Sequence, residues 1–174
     1  EAARLLEEAG YGKDNPLAFS LLYNTSENHK KIAVALGSMW KKTLGLDVTL
    51  ENQEWKTYLS TKDAGDFEVA RAGWCGDYNE ASSFLTLMKS GNTTGGIHYD
   101  SKAYDKVMEQ AISSTSEEER TALYREAEIM LAKDMPLAPI YQYVKSRLLS
   151  EKVGGFPVGN AEEKIYSKDL YLIK

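Results

Sequence analysis

Arg71, Trp74, Asp77 and Tyr78 fall close together in the chain and carry its strongest chemical signal. A guanidinium can grip a carboxylate through two parallel hydrogen bonds, and a carboxylate can hold an ammonium. Trp74 and Tyr78 add flat amphipathic surface between the two charges. Such a set suits a zwitterion. It fits equally well a plain Arg71–Asp77 ion pair with the aromatics packed in a core. Three other sets are weaker. Cys75 with His29 and Asp77 has the residue types of a cysteine hydrolase, but a thiolate needs an electropositive setting. Asp77 opposes one, and no local nucleophile signature surrounds Cys75, so a packed or disulfide-bonded cysteine is the expectation. His29 and His98 lie on different elements without a second ligand at helical spacing, so they read as surface or capping histidines with no metal. The loop SGNTTGG at 90–96 lacks the lysine of a phosphate cradle and reads as an ordinary turn region. No cofactor is expected.

Composition narrows the classes further. The chain has 174 residues, 43% hydrophobic and 27% charged, which suits one globular domain or two small ones. A net charge of −5 argues against a nucleic-acid binder, which needs clustered positive charge. The single cysteine excludes an internal disulfide and any multi-cysteine zinc site. No apolar run approaches the ~18–20 residues of a membrane span, and no signal-peptide pattern opens the chain. An amphipathic helix at 1–9 without Met or capping residue fits a fragment of a longer protein.

The candidate residues must be positioned by alternating elements. Residues 17–23 (LAFSLLY) predict a strand. Thr25 or Ser26 caps a helix with Ile32, Leu36, Met39 and Trp40 on one face, ended by Gly45. Residues 46–51 alternate as a half-buried strand, 54–62 predict a helix and 67–73 a third strand. This order implies an α/β layer with parallel pairing. Beyond it come a short helix at 82–88 and helices at 101–113 and 116–133, the last opening with a Ser116–Glu119 capping box. Residues 138–144 and 169–174 read as strands, separated by a stretch rich in Gly, Pro and charge.

The segments LLYNTSENHKKIA, LENQEWKTYL and FEVARAGWCGDYNEASSF resemble the periplasmic oligopeptide-binding proteins of bacterial ABC importers, within the peptide- and nickel-type solute-binding family. EAARLLEEAGYG, HYDSKAYDKVM, PLAPIYQYVKSRLL and DLYLIK extend the resemblance over essentially the whole chain. A murein-tripeptide binder of the same family shares NTSEN and IYQY and is the alternative, with a cysteine hydrolase less favoured. The resemblance implies a non-enzymatic receptor in the periplasm, of two lobes, that closes on short peptides and delivers them to a membrane permease. The fold class is then α/β, a mixed sheet with flanking helices, as one lobe of a two-lobed periplasmic binding protein. Residues 1–148 would be the peptide-binding lobe and 149–174 a crossover tail, leaving the chain near 143–147 for a missing N-terminal lobe. The signal peptide would lie outside this chain.

By matching positions, the resemblance implies that Asp77 pairs with the peptide α-ammonium and that Arg71, Lys62 and His29 receive the C-terminal carboxylate. Lys62 departs from an arginine and loses the bidentate fork. Asn24, Trp55, Leu59, Gly73, Trp74, Cys75 and Tyr143 would line the groove. Gly73 would let backbone approach backbone, and the position of Cys75 matches one that pairs with a cysteine outside this chain. Exposed Leu170, Leu172 and Ile173 would follow if the tail's partner is absent.

Overall fold

The computed structural model describes residues 1–144, 146–160 and 164–173. The expected crossover at 143–147 contains residue 145 and the terminal strand 169–174 contains residue 174, both outside the described residues. Contacts divide the chain into two units, one of residues 1–73 with 93–98, the other of 74–92 with 99–174. The expected boundary at 148 falls inside the second unit.

The first unit is built on a three-stranded parallel sheet. Strand β1 (Ala18–Asn24) is central, flanked by β2 (Asp47–Gln53) and β3 (Val69–Ala70) in the order β2-β1-β3. Ala18 pairs with Asp47 and Leu21 with Val69, both in parallel register. Helix α2 (Glu27–Leu44) connects β1 to β2, and α3 (Trp55–Ala64) carries the chain back past β1 to β3. Alternation along β1 separates two faces. Leu21 and Tyr23 pack with Ala33 of α2, joined by Leu36, Trp40, Val48, Leu50 and Val69. Leu22 and Asn24 point the other way and are also buried. That double burial is why 17–23 reads as an unbroken apolar run.

Helix ends follow local chemistry. Gly45 closes α2 at φ 72°, the left-handed conformation that glycine adopts without steric cost. Helix α1 (Ala2–Glu8) has no buried residue; Arg4 bonds Glu1 and Glu8 along its surface instead. The third strand is shorter than its sequence suggests. Only two residues join the ladder, and the Glu68 carboxylate accepts from Ser20 N–H at 2.7 Å where a strand carbonyl would otherwise serve.

In the second unit, helix α4 (Ser82–Leu85) and the 3-10 turn Thr86–Met88 precede α5 (Lys102–Ser113) and α6 (Glu117–Asp134). Tyr104, Val107, Met108 and Ala111 form one buried stripe of α5 at three- and four-residue spacing. Tyr124 and Ala127 of α6 are buried too, and α5 packs on α6. The Ser116 hydroxyl accepts from Glu119 N–H as predicted, but the reciprocal half of the box differs. Glu119 Oε2 accepts from Ser114 Oγ at 2.7 Å, and Ser114 Oγ takes the Ser116 N–H.

The strand expected at 138–144 does not form. Ile140, Tyr141, Tyr143 and Val144 are all exposed, and no described segment pairs with them; β propensity without a ladder partner leaves an extended loop. At the end of the chain β5 (Tyr171–Leu172) pairs antiparallel with β4 (Val153–Gly154). Parallel and antiparallel pairing are therefore both present, in separate sheets. Leu172 and Ile173 are exposed, and Leu170 is half-buried. Among the described residues no helix is long and apolar enough to cross a membrane.

Tyr104 is fully buried and its hydroxyl donates to Leu85 O at 2.8 Å. Tyr104→Phe removes that side-chain donor and should cost about 0.5–1.5 kcal/mol, measured by urea unfolding of the protein.

Candidate ligand-binding site

The β2-β1-β3 order places a topological switch between β1 and β3. From β1 the chain runs to one neighbour, then crosses to the other side. In open α/β sheets the crevice outside the carboxyl ends at such a point is where ligands bind. Asn24 closes β1 and Arg71 follows β3 directly, so these two residues flank that crevice.

His29, in the first turn of α2, reaches the same place. Its Nδ1 lies 2.7 Å from Asn24 Oδ1 and 3.4 Å from Arg71 Nη1. Burial, then the facing guanidinium, holds the imidazole below the ordinary histidine value. Arg71 is fixed through its backbone, with its N–H donating to Leu22 O at 2.8 Å. Its carbonyl accepts from the Tyr58 hydroxyl at 2.6 Å. Burial pushes that hydroxyl up to about 12, against the pull of Arg71, so it remains a donor at neutral pH.

Helix α3 supplies the rest of this cluster. Trp55 stacks on Tyr58 with ring centroids 5.7 Å apart, and the Lys62 ammonium lies 5.3 Å from the Tyr58 centroid. Spacing of three and four residues puts all three side chains in one row. Lys62 is buried, unusual for a lysine. Burial lowers its ammonium below the ordinary lysine value; Asp63 opposes the shift and Arg71 adds to it. Leu59 is half-buried on the same helix, and Gly73 is exposed just beyond Arg71.

Trp74, Cys75, Asp77 and Tyr143 belong to the second unit. Asp77 is exposed, and among the described residues its carboxylate has no partner. Its backbone N–H donates to Ser83 Oγ at 2.7 Å. Farther along the same loop, Glu80 accepts from Arg120 Nε at 2.8 Å, Tyr124 Oη at 3.1 Å and Ser82 Oγ at 2.9 Å. The loop is thus tied to α4 and α6 on either side of Tyr78. Cys75 is an exposed free thiol, and the Trp74 indole nitrogen is buried without a partner among the described residues. Tyr143 is exposed. An open groove of about 1020 Å³ is lined by Tyr78, Glu80, Arg120 and Tyr124, among others. Glu80 pairs with both Arg120 and Tyr124 there, so these groups brace the wall rather than wait for a ligand.

Structure thus joins Asn24, His29 and Arg71 directly, and Trp55 and Lys62 through Tyr58. Tyr58 and Glu80 tie these elements together and were not among the candidate residues. The helical spacing of Trp55, Tyr58 and Lys62 was the available signal for the first; nothing local marked the second. His98 Nε2 lies 2.8 Å from Lys62 O.

An α/β unit with cationic and aromatic side chains gathered at the carboxyl ends of its strands defines a ligand-binding module. Comparison with known proteins gives the family. Residues 1–96 match the bacterial extracellular solute-binding proteins, family 5 Middle, and the chain belongs to that family. It is 50% identical over its full length to the periplasmic oligopeptide-binding protein OppA of Salmonella typhimurium, covering 32% of that protein. It is 49% identical, again over 100% of the chain and 32% of the relative, to the periplasmic murein peptide-binding protein MppA of Escherichia coli. A solved complex of Haemophilus influenzae OppA with RPPGFSPFR superposes with a TM-score of 0.87 at 47% identity, covering 99% of this chain and 34% of that one. The chain therefore spans about a third of the length of these relatives.

His29 binds fewer protons folded than unfolded, because its folded value is lowered. Stability should then rise with pH through that window and fall on acidification below about 6.5. NMR titration of the ring should place it below the ordinary value. Arg71→Gln should move it part of the way back up, since burial is the larger cause.

Proposed function

We propose that this chain is the peptide-binding part of an oligopeptide receptor serving a bacterial ABC importer. The observation that carries the reading is the cluster of His29, Lys62 and Arg71 at the sheet's carboxyl edge, in a chain otherwise acidic overall. Three groups able to carry positive charge suit capture of a ligand anion. A peptide's C-terminal carboxylate is that anion, and Asp77 takes its α-ammonium. Asn24, Trp55, Leu59, Gly73, Trp74, Cys75 and Tyr143 line the groove, where contacts to peptide main chain leave side-chain identity loosely read. Residues 1–148 form the binding lobe and 149–174 return to another lobe of the longer receptor, which works in the periplasm and hands peptide to a membrane permease.

This role is binding without turnover. His29 Nδ1 faces Asn24 Oδ1, and burial, then the neighbouring guanidinium, weakens the ring as a base. A murein tripeptide is the second reading, favoured by equal identity to the murein peptide-binding relative over the whole chain. Mass spectrometry of ligand co-purified with the full-length receptor separates the two by the presence of amino-sugar-linked or D-amino-acid peptides. Intact recovery of a labelled peptide supports binding, and turnover abolished by Cys75→Ala would establish a hydrolase.

Asp77→Asn removes charge at nearly constant shape. In the full-length receptor it should weaken a free tripeptide by roughly 2–5 kcal/mol, the cost of truncating one partner of a buried hydrogen-bonded charge pair. An N-acetylated peptide should bind poorly to the native receptor and lose little more on mutation. Calorimetric titration of both peptides measures this, and equal native affinities for the two would sink the assignment.

A further inference from the structure

Residues 93–98 belong to the first unit, where they meet Lys62. A lysine ordinarily lays its stem along the surface and keeps its ammonium in water. Lys62 is instead only 6% exposed. The reason is the close approach of Gly96. A Cβ there would stand 2.9 Å from Lys62 O and 3.0 Å from both Cβ and Cε of the lysine. Gly96 also has φ +64°, so glycine alone lets this segment lie on the lysine's backbone and stem at once.

His98 fastens the segment. It holds a left-handed φ of 52°, uncommon for a residue with a side chain. From there its Nε2–H donates to Lys62 O at 2.8 Å, a carbonyl that also accepts from Gly65 N–H at 3.0 Å. The imidazole stands over Gly65 and beside Phe67, with ring centroids 6.3 Å apart. Beyond the covered stem, the ammonium rests on the Tyr58 ring. The lysine is therefore held at its carbonyl, along its stem and at its charge.

We infer that residues 93–98 form a strap whose Gly96 and His98 are positioning residues for Lys62, presenting its ammonium at one fixed place to the carboxylate of a peptide. The inference rests on the reading of Lys62 as a carboxylate-binding group. A free lysine would lose rotamer entropy on gripping a ligand; the strap removes that freedom beforehand, so less is lost on binding. It also sets the distance at which a carboxylate is met, which makes it a determinant of peptide length.

The test uses the full-length receptor with two strap variants and, for comparison, Lys62→Ala. Gly96→Ala lifts the strap by steric contact, and His98→Asn removes the imidazole while keeping a residue that tolerates left-handed backbone. Each is read by 13C NMR titration of the Lys62 side chain and by the affinity ratio of a tripeptide to its C-terminal amide. Both variants should raise the Lys62 titration toward the ordinary lysine value as water returns to the stem. Both should also shrink the carboxylate-over-amide ratio by about tenfold, the scale of one charge-assisted contact. An unchanged titration in folded His98→Asn overturns the strap. A raised titration combined with a ratio that Lys62→Ala leaves intact supports the strap and overturns the carboxylate role of Lys62.

Discussion

Burial of charged groups, reinforced by repulsion from Arg71, shapes the carboxyl edge of the sheet. His29 and Arg71 meet there, Lys62 is linked through Tyr58, and the guanidinium adds to burial in disfavouring the charged form of each of the other two. The fold answers each case differently. His29 is held toward neutrality, with Nδ1 against Asn24. Lys62 rests its charge on the electron-rich face of Tyr58, a contact worth more where water is excluded. The main chain of Arg71 is fixed by hydrogen bonds at both N–H and carbonyl. An anion there would favour the protonated forms of both titrating neighbours.

Tyr58 couples these solutions. One face carries the lysine, the hydroxyl holds Arg71 O, and Trp55 stacks on the ring. A phenol suits this position because it combines an aromatic face with a donor at its rim. Phenylalanine would retain the first property and lose the second.

Much of the first unit was legible from the chain. Strands β1 and β2 and helix α2 declare themselves because their apolar residues recur at the periods that burial demands. Arg71 and His29 were recognisable by residue type, and the resemblance assigned them to one task. What was not legible depends on partners distant in sequence. Residues 138–144 have strand-like side chains, yet a strand exists only where another ladder meets it. The third strand was overlong for a similar reason, since a side chain of Glu68 takes over one backbone position. The burial of Lys62 comes from Gly96 and His98, in a Gly-rich stretch whose composition says only that it can turn. Tertiary contact gave that turn its meaning.

The central position of β1 has a consequence in time. Within this chain its partners follow it, β2 by way of α2 and β3 only after α3. Until then an apolar segment that is buried on both faces when folded has two open edges. Parallel pairing across intervening helices is slow compared with local structure. The nascent first unit therefore passes through a vulnerable interval, open to off-pathway association, that ends when residues 69–70 reach β1. Length of the two crossovers, as much as final stability, sets how long that interval lasts.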